Sequence, residues 1–197
     1  TMATNKTILK DIEDNENSNE ELLSSKNTLA DYLDLLYRIH VTENQESYSE
    51  NYVSPDRVGK NIKRHFTDPS LACGALKLTK DKLLDDLFTF GFMFEAMVER
   101  DLRIYIEYLG GSLFHFRDNV SGLEVDSILE FADGEYAAIE IKLGTHQIEE
   151  AKNNLNRYYN LATKKPKFMA VICGMVPYII KDPDTGIYIL PITSLRP

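Results

Sequence analysis

Residues 123–143 of the chain read LEVDSILEFADGEYAAIEIKL. Two largely apolar runs, Leu123–Phe131 and Tyr136–Leu143, flank the pair Asp133-Gly134. This order is typical of two antiparallel strands joined by a tight hairpin turn. The stretch therefore predicts the centre of a β-sheet, and the segments on either side decide how that sheet is covered.

The surrounding segments predict two helices that enclose this sheet. A long helix is expected from about Lys80 to Tyr108 and ends at Gly110-Gly111. Its expected buried stripe is Leu83, Leu87, Phe90, Phe94, Met97, Val98 and Tyr105. The other expected elements are strand Ser112–Phe116, helix Gln147–Ala162, strand Phe168–Cys173 and short strands near Tyr178–Ile180 and Ile187–Leu190. The order αβββαβ predicts an α/β protein with a restriction-endonuclease-like core and a mixed central sheet, over about residues 70–197.

Residues 25–69 predict a small winged-helix-like unit in front of this core. A helix from Thr28 to Ile39 is followed by strand candidates His40–Glu43 and Lys60–Phe66, and the polar loop Gln45–Arg57 between them is expected to form the wing. Residues 1–24 are rich in acidic residues, Asn and Ser, which predicts a disordered or partly helical lead.

The winged-helix-like unit is a weak candidate for reading DNA bases. The exposed face of its helix carries Asp31 and Asp34, which phosphates repel. Lys60, Lys63 and Arg64 are the only local basic cluster. A structural or protein-docking use is therefore favoured over base reading.

Two acids and a lysine are expected to converge on the predicted hairpin. Side chains alternate along a strand, so Glu140 and Lys142 share one face, and the antiparallel neighbour supplies Asp126. Asp126 and Glu140 are candidate Mg²⁺ ligands and Lys142 a candidate charge stabiliser for phosphodiester hydrolysis. Glu95 is a candidate additional catalytic acid and Arg117 a candidate phosphate contact. The competing interpretation is a purely structural ion pair on a solvated strand face.

The charge and the absence of certain sequence motifs argue against several classes of function. The net charge of −9 weighs against avid, sequence-independent DNA binding, although a site that gathers carboxylates for a metal is itself acidic. No phosphate-binding loop of the form G-x-x-x-x-G-K-[ST] is present, so this chain is not expected to bind ATP. No apolar run reaches the roughly 20 residues needed to cross a bilayer, and a cytoplasmic, non-membrane protein is expected.

Several segments together resemble the uncharacterised carboxy-terminal domain found behind the ATPase module of bacterial and archaeal AAA-type ATPases. The resemblance covers about Asn27 to Leu195. The segments that carry it are His65–Ala72 (HFTDPSLA), Gly91–Glu95 (GFMFE), Phe116–Asp118 (FRD), Gly122–Asp126 (GLEVD) and Glu140–Gly144 (EIKLG).

The resemblance implies a longer protein, with an amino-terminal P-loop ATPase module, a winged-helix-like connector and this nuclease-like domain. The residues that match the family's nuclease-like motif are Glu95, Asp126, Glu140 and Lys142, and all four are present. The present chain is accordingly expected to be a carboxy-terminal fragment whose partner is that ATPase module.

Two functions of different classes remain open. One is a Mg²⁺-dependent nuclease domain acting on DNA. The other is a non-catalytic interaction domain on a degenerate nuclease scaffold, which docks the ATPase module, a partner protein or another copy of itself. A basic rim beside the acidic site would favour the nuclease, and its candidate residues are Arg117, Lys152, Arg157 and Lys165.

Overall fold

The computed structural model describes residues 5–15, 26–50, 62–118 and 120–195. Within these ranges the chain forms a mixed α/β fold. The helices are α1 (Asn5–Asn15), α2 (Lys26–Arg38), α3 (Pro69–Ala75), α4 (Lys80–Asp85), α5 (Leu87–Tyr108) and α6 (Ile148–Leu161). The strands are β1 (Thr42–Gln45), β2 (Lys63–Phe66), β3 (Ser112–Arg117), β4 (Glu124–Glu130), β5 (Tyr136–Lys142), β6 (Phe168–Cys173), β7 (Ile180–Lys181) and β8 (Tyr188–Pro191).

The main sheet has six strands in the order β3-β4-β5-β6-β8-β7. Strands β3, β4 and β5 form an antiparallel meander, whereas β6 runs parallel to both β5 and β8. A parallel neighbour needs a crossover connection, and α6 supplies it between β5 and β6. The mixed sheet expected from the sequence is thus confirmed.

Each face of the sheet carries its own apolar core. On one face α5 buries Phe94, Val98 and Leu102 against residues of β3 to β6 such as Ile139. On the other face α6 buries residues such as Leu155. Because both faces are covered, all but the last residue of β5 are buried, and polar residues there need specific partners.

The hairpin that the sequence places at Asp133-Gly134 is confirmed. Gly134 has a φ of 77°, a conformation that glycine adopts without steric strain. The register pairs Glu130 with Tyr136 across the turn and continues to Ser127 opposite Ile139.

The single long helix expected from Lys80 to Tyr108 is wrong. The helix breaks at Asp86, whose carboxylate accepts hydrogen bonds from the backbone amide and the hydroxyl of Thr89 and so caps the start of α5. Leu87, expected on the buried stripe, is half exposed because it lies at this new helix start. The expected end is confirmed, since α5 stops at Tyr108 and Gly110 has a φ of 74°.

The amino-terminal segment packs against the main sheet. Strands β1 and β2 pair antiparallel as a two-stranded sheet. The first residues of the expected wing loop pack on the main sheet. Ser47 bridges to His115 of β3, and Tyr48 is buried among the residues that α6 covers. Residues 51–57 of the expected wing lie outside the described residues.

Residues 5–15 of the expected lead form α1, and residues 16–24 lie outside the described ranges. Among the described residues, no helix combines the length and apolar character that crossing a membrane requires.

Candidate functional site

The site begins where β4 and β5 separate. Their paired register ends at Ser127 opposite Ile139, while β5 continues beside β6 as far as Lys142 opposite Cys173. An irregularity between β3 and β4 near Asp126 accompanies this separation. As a result, the last residues of β5 have a strand partner on one side only.

The carboxylate of Asp126 takes the place of the missing strand. Its Oδ2 accepts a hydrogen bond of 2.7 Å from the backbone N–H of Ile141. A buried backbone N–H without a partner costs free energy, so this bond fixes both the end of β5 and the orientation of the carboxylate.

The acids and the lysine singled out in the sequence meet here. The Lys142 ammonium lies 3.2 Å from Asp126 Oδ2 and 2.7 Å from Glu140 Oε2. The side chain of Glu140 is only 2% exposed, whereas those of Asp126 and Lys142 keep some access to solvent. The predicted convergence of these three residues agrees with the geometry.

The electrostatics of this trio are those of a crowded, weakly solvated site. Burial raises the pKa of Glu140 to about 8, the charge of Asp126 adds to the rise, and Lys142 opposes it. Burial alone would lower the pKa of Lys142, but the charges of Asp126 and Glu140 outweigh it and the net effect is a raised pKa. Lys142 therefore stays cationic at neutral pH.

A second lysine holds the carboxylates of α5. The ammonium of Lys63, on β2, lies 2.6 Å from Glu95 Oε1 and also forms an ion pair with Glu99. Burial raises the pKa of Glu99 to about 7, while Lys63 opposes the rise. The charge of Asp126 contributes to the raised pKa of Lys63, which connects the two lysine clusters electrostatically.

Lys63 is the residue of this charged cluster that the sequence interpretation did not place there. Lys63 is named in the sequence only as part of a local basic cluster, whereas in the structure its side chain is buried and paired with two acids. Lys60, assigned to the same cluster, lies outside the described residues. The available signal was the alternation of Lys63 and His65 on one face of β2, which marks a face that can turn inward.

His65 is a buried neutral histidine beside this cluster. Its Nδ1 lies 3.7 Å from a Glu99 oxygen, and its Nε2 lies 3.4 Å from the guanidinium of Arg103 and 3.9 Å from Glu43. Burial and the positive charges of Arg103 and Lys63 lower its pKa to about 3.

We expect acid to destabilise the protein through His65. A histidine in the unfolded chain binds a proton near pH 6.5, so below that pH the unfolded state binds more protons than the folded state. Through His65 alone, the free energy of unfolding should fall by about 2 kcal/mol between pH 7 and pH 5. The raised pKa values of Glu99 and Glu140 act in the opposite direction, so this contribution is measured by urea unfolding as the difference between the wild-type and His65→Gln proteins. The exposed control His146→Gln should keep the pH dependence of the wild type, whereas His65→Gln should lose the His65 contribution; the same pH dependence in all three proteins would contradict the assignment.

A pocket of about 490 Å³ opens beside the site. Its walls come from the start of α5, the end of β5 and the turn that follows β5. The lining residues are Leu87, Phe88, Gly91, Phe92, Glu95, Ile141, Lys142, Leu143, Gly144, Thr145, His146, Gln147 and Met175. Glu95 and Lys142 thus share one cavity, which gives a ligand access to the charged cluster.

Most of the candidate basic rim is held in contacts within the chain. Arg117 forms an ion pair of 2.9 Å with Glu124, its neighbour across the β3–β4 ladder. Lys152 lies 2.9 Å from Glu149 and 3.3 Å from Asp182. The ammonium of Lys165 donates to the backbone carbonyls of Tyr159 and Ala162. Three of the four rim candidates are therefore committed to partners within the chain.

The donor set of the site suits Mg²⁺, which prefers oxygen ligands and is commonly held by one or two carboxylates together with waters and substrate phosphates. Asp126 and Glu140 offer two such carboxylates around one ammonium. Within residues 5–15, 26–50, 62–118 and 120–195, no three His, Cys, Asp or Glu side chains are grouped closely enough to hold a metal ion. Binding of Mg²⁺ at this site would therefore depend on two carboxylates and not on a preformed group of three or more protein ligands.

Comparison with protein families finds two matches. Residues 90–195, just over half of the chain, match the family described as Domain of unknown function (DUF4143). Residues 2–82 match a second family, Domain of unknown function (DUF8612). No curated protein and no solved structure matches this chain.

Proposed function

Because this chain belongs to the DUF4143 family, known as a carboxy-terminal domain of AAA-ATPase-like proteins, we propose that it is the nuclease-like domain of such an ATPase. The proposed activity is Mg²⁺-dependent hydrolysis of phosphodiester bonds in DNA. The observation that carries the proposal is the trio of Asp126, Glu140 and Lys142 at the separated end of β5, beside an open pocket.

The order of elements supports a restriction-endonuclease-like core for this activity. Helix α5, the β3–β4–β5 meander, the crossover helix α6 and the parallel strand β6 reproduce the αβββαβ order that the sequence predicts for this class of nuclease. In this arrangement the two acids and the lysine come from adjacent antiparallel strands that diverge at the site.

Each residue has a distinct role in the proposed reaction. Asp126 and Glu140 hold the Mg²⁺ ion, which when bound polarises the phosphate and lowers the pKa of a water molecule. Lys142 stabilises negative charge on the nucleophile or on the phosphoryl oxygens. Glu95, oriented by Lys63, is an additional acid at the pocket wall. Arg117 contacts a phosphate only if it exchanges its ion pair with Glu124 for that contact.

The test is metal binding and DNA cleavage by the same samples. We expect Mg²⁺ and Mn²⁺ to bind the purified chain in calorimetry and to support cutting of single- or double-stranded DNA. Asp126→Ala should abolish both, because it removes an oxygen ligand. The control Asp184→Asn changes an exposed acid in the turn between β7 and β8 and should change neither. Absence of metal binding at millimolar ion would overturn the proposal.

A non-catalytic docking domain is the alternative proposal, and three observations favour it. The rim lysines and Arg117 are paired within the chain, and the net charge is −9. Exposed apolar side chains at the start of α5 and after β6, including Phe88 and Tyr178, offer a surface to the ATPase module or a second copy. Stable association with the ATPase module, without metal binding, would support this alternative.

A further inference from the structure

Two phenylalanines with unusual exposure stand at the pocket. Phe88 and Phe92 lie one turn apart on α5, are 76% and 52% exposed, and both line the cavity. Their ring centroids are 4.8 Å apart in an edge-to-face arrangement. Phenylalanine has no polar atom that benefits from water, so such exposure beside a charged cluster indicates a surface for a ligand.

A glycine widens the same wall. Gly91 lies in the interior of α5 between the two phenylalanines, where glycine is less favourable than alanine for a helix. A side-chain carbon added at Gly91 would meet nothing within 4 Å, so packing does not require glycine there. What the missing side chain provides is room in the pocket between the aromatic rings and the charged end.

One stripe of α5 connects the aromatic end of the pocket to the charged end. Phe88, Gly91, Phe92 and Glu95 follow one another at helical spacing, and Glu95 shares the cavity with Lys142. A purely apolar protein segment would remove the partly exposed side chains of Glu95 and Lys142 from water without giving them polar partners beyond those they already have in the chain, which is unfavourable. A ligand with a flat apolar ring and an attached anionic group uses both ends.

We propose that this pocket binds one unpaired nucleotide, with its base against Phe88 and Phe92 and its phosphate directed to the site at Lys142. The inference rests on the proposed function and names its substrate class, single-stranded nucleic acid. Bases in a duplex are covered by their stacked neighbours, so only an unstacked base presents a face to these rings. Aromatic stacking also supplies affinity that the net charge of −9 does not.

The decisive experiment compares a fluorescent oligothymidylate with an abasic oligonucleotide of equal length by anisotropy. Both carry the same phosphates, so a difference in affinity reports on the base. Ca²⁺ replaces Mg²⁺ to allow binding without cutting. We expect the base-containing strand to bind roughly tenfold tighter or more, and Phe88→Ala/Phe92→Ala to remove that difference.

Two control variants test whether a loss of binding is specific to the pocket and not a general effect of changing an exposed aromatic residue or a helical glycine. Tyr108→Ala removes an 82% exposed aromatic residue about 30 Å away at the other end of α5 and should leave the base preference intact. Gly91→Leu should fill the pocket and weaken binding of the base-containing strand. Gly74→Leu, at a position in α3 where an added carbon is equally uncrowded, should leave binding unchanged.

Equal affinity for the two oligonucleotides overturns the inference, as does tight binding of free thymidine monophosphate without binding of the strand. A switch in oligomeric state on Phe88→Ala/Phe92→Ala, seen by light scattering with no change in oligonucleotide affinity, also overturns it in favour of a docking surface.

Calorimetry with Ca²⁺ and Mg²⁺ alone, without oligonucleotide, distinguishes a failure of the nucleotide pocket from a failure of the proposed function. Metal binding without a base preference contradicts only the nucleotide pocket, whereas loss of metal binding contradicts the proposed function.

Discussion

We expect Lys63→Met to lower the free energy of unfolding by about 3–5 kcal/mol, because removing one partner of a buried ion pair leaves the other charge uncompensated. Lys63 is buried between Glu95 and Glu99, and Glu99 is only 1% exposed. Methionine preserves much of the volume of lysine, so the loss reports on charge and not on a cavity. Urea unfolding followed by circular dichroism measures the effect.

The interpretation of that variant depends on a control and a rescue. Lys167→Met removes an ammonium that is 55% exposed and 3.5 Å from Glu135, and such surface pairs contribute about 0–1 kcal/mol. Adding Glu99→Gln to Lys63→Met should recover a substantial part of the loss, because the stranded carboxylate becomes neutral. Equal losses in Lys63→Met and Lys167→Met would show that Lys63 does not compensate a buried charge.

Lys142→Gln is expected to slow DNA cleavage by about 10²–10³-fold, the usual consequence of removing one group that stabilises developing charge. Metal affinity should be maintained or increased in the same variant. The ammonium lies 2.7 Å from Glu140 and 3.2 Å from Asp126, so its removal eliminates a cation that competes for these oxygens. Single-turnover cleavage and calorimetry measure the two quantities separately.

This combination distinguishes a catalytic lysine from a structural one. If Lys142 served only to hold the two acids in place, Lys142→Gln would weaken metal binding and cleavage together. The exposed variant Lys167→Gln is the matched control and should leave both unchanged. Cleavage at the wild-type rate by Lys142→Gln would exclude the proposed role of this residue.

The candidate site joins the two segments that match different families. Lys63 belongs to the segment over residues 2–82, whereas its partners Glu95 and Glu99 belong to the segment over residues 90–195. Glu95 in turn lines the pocket that Lys142 shares. Strand β2 therefore contributes to the environment of a site whose other residues lie on α5, β4 and β5.

Local sequence patterns were sufficient to predict the central strands of the main sheet and the turn between two of them. The alternation in Tyr136–Leu143, the Asp133-Gly134 turn and the continuous apolar run Phe168–Cys173 each identify a strand or a turn without knowledge of distant partners. The break at Asp86 also had a local signal. Asp86 and Thr89 have the spacing of a helix cap, but the apolar stripe that continues past them favoured one long helix.

The amino-acid sequence by itself determined the order of the strands of the main sheet along the chain and the face on which Glu140 and Lys142 lie, because strand periodicity and turn chemistry act between near neighbours. Only the tertiary structure decided that β4 separates from β5 so that Asp126 binds the backbone of Ile141. It also decided that Lys63 turns inward to the acids of α5. These outcomes depend on register and on packing between residues far apart in the chain; the alternation in β2 is compatible with an inward Lys63 but does not specify its partners.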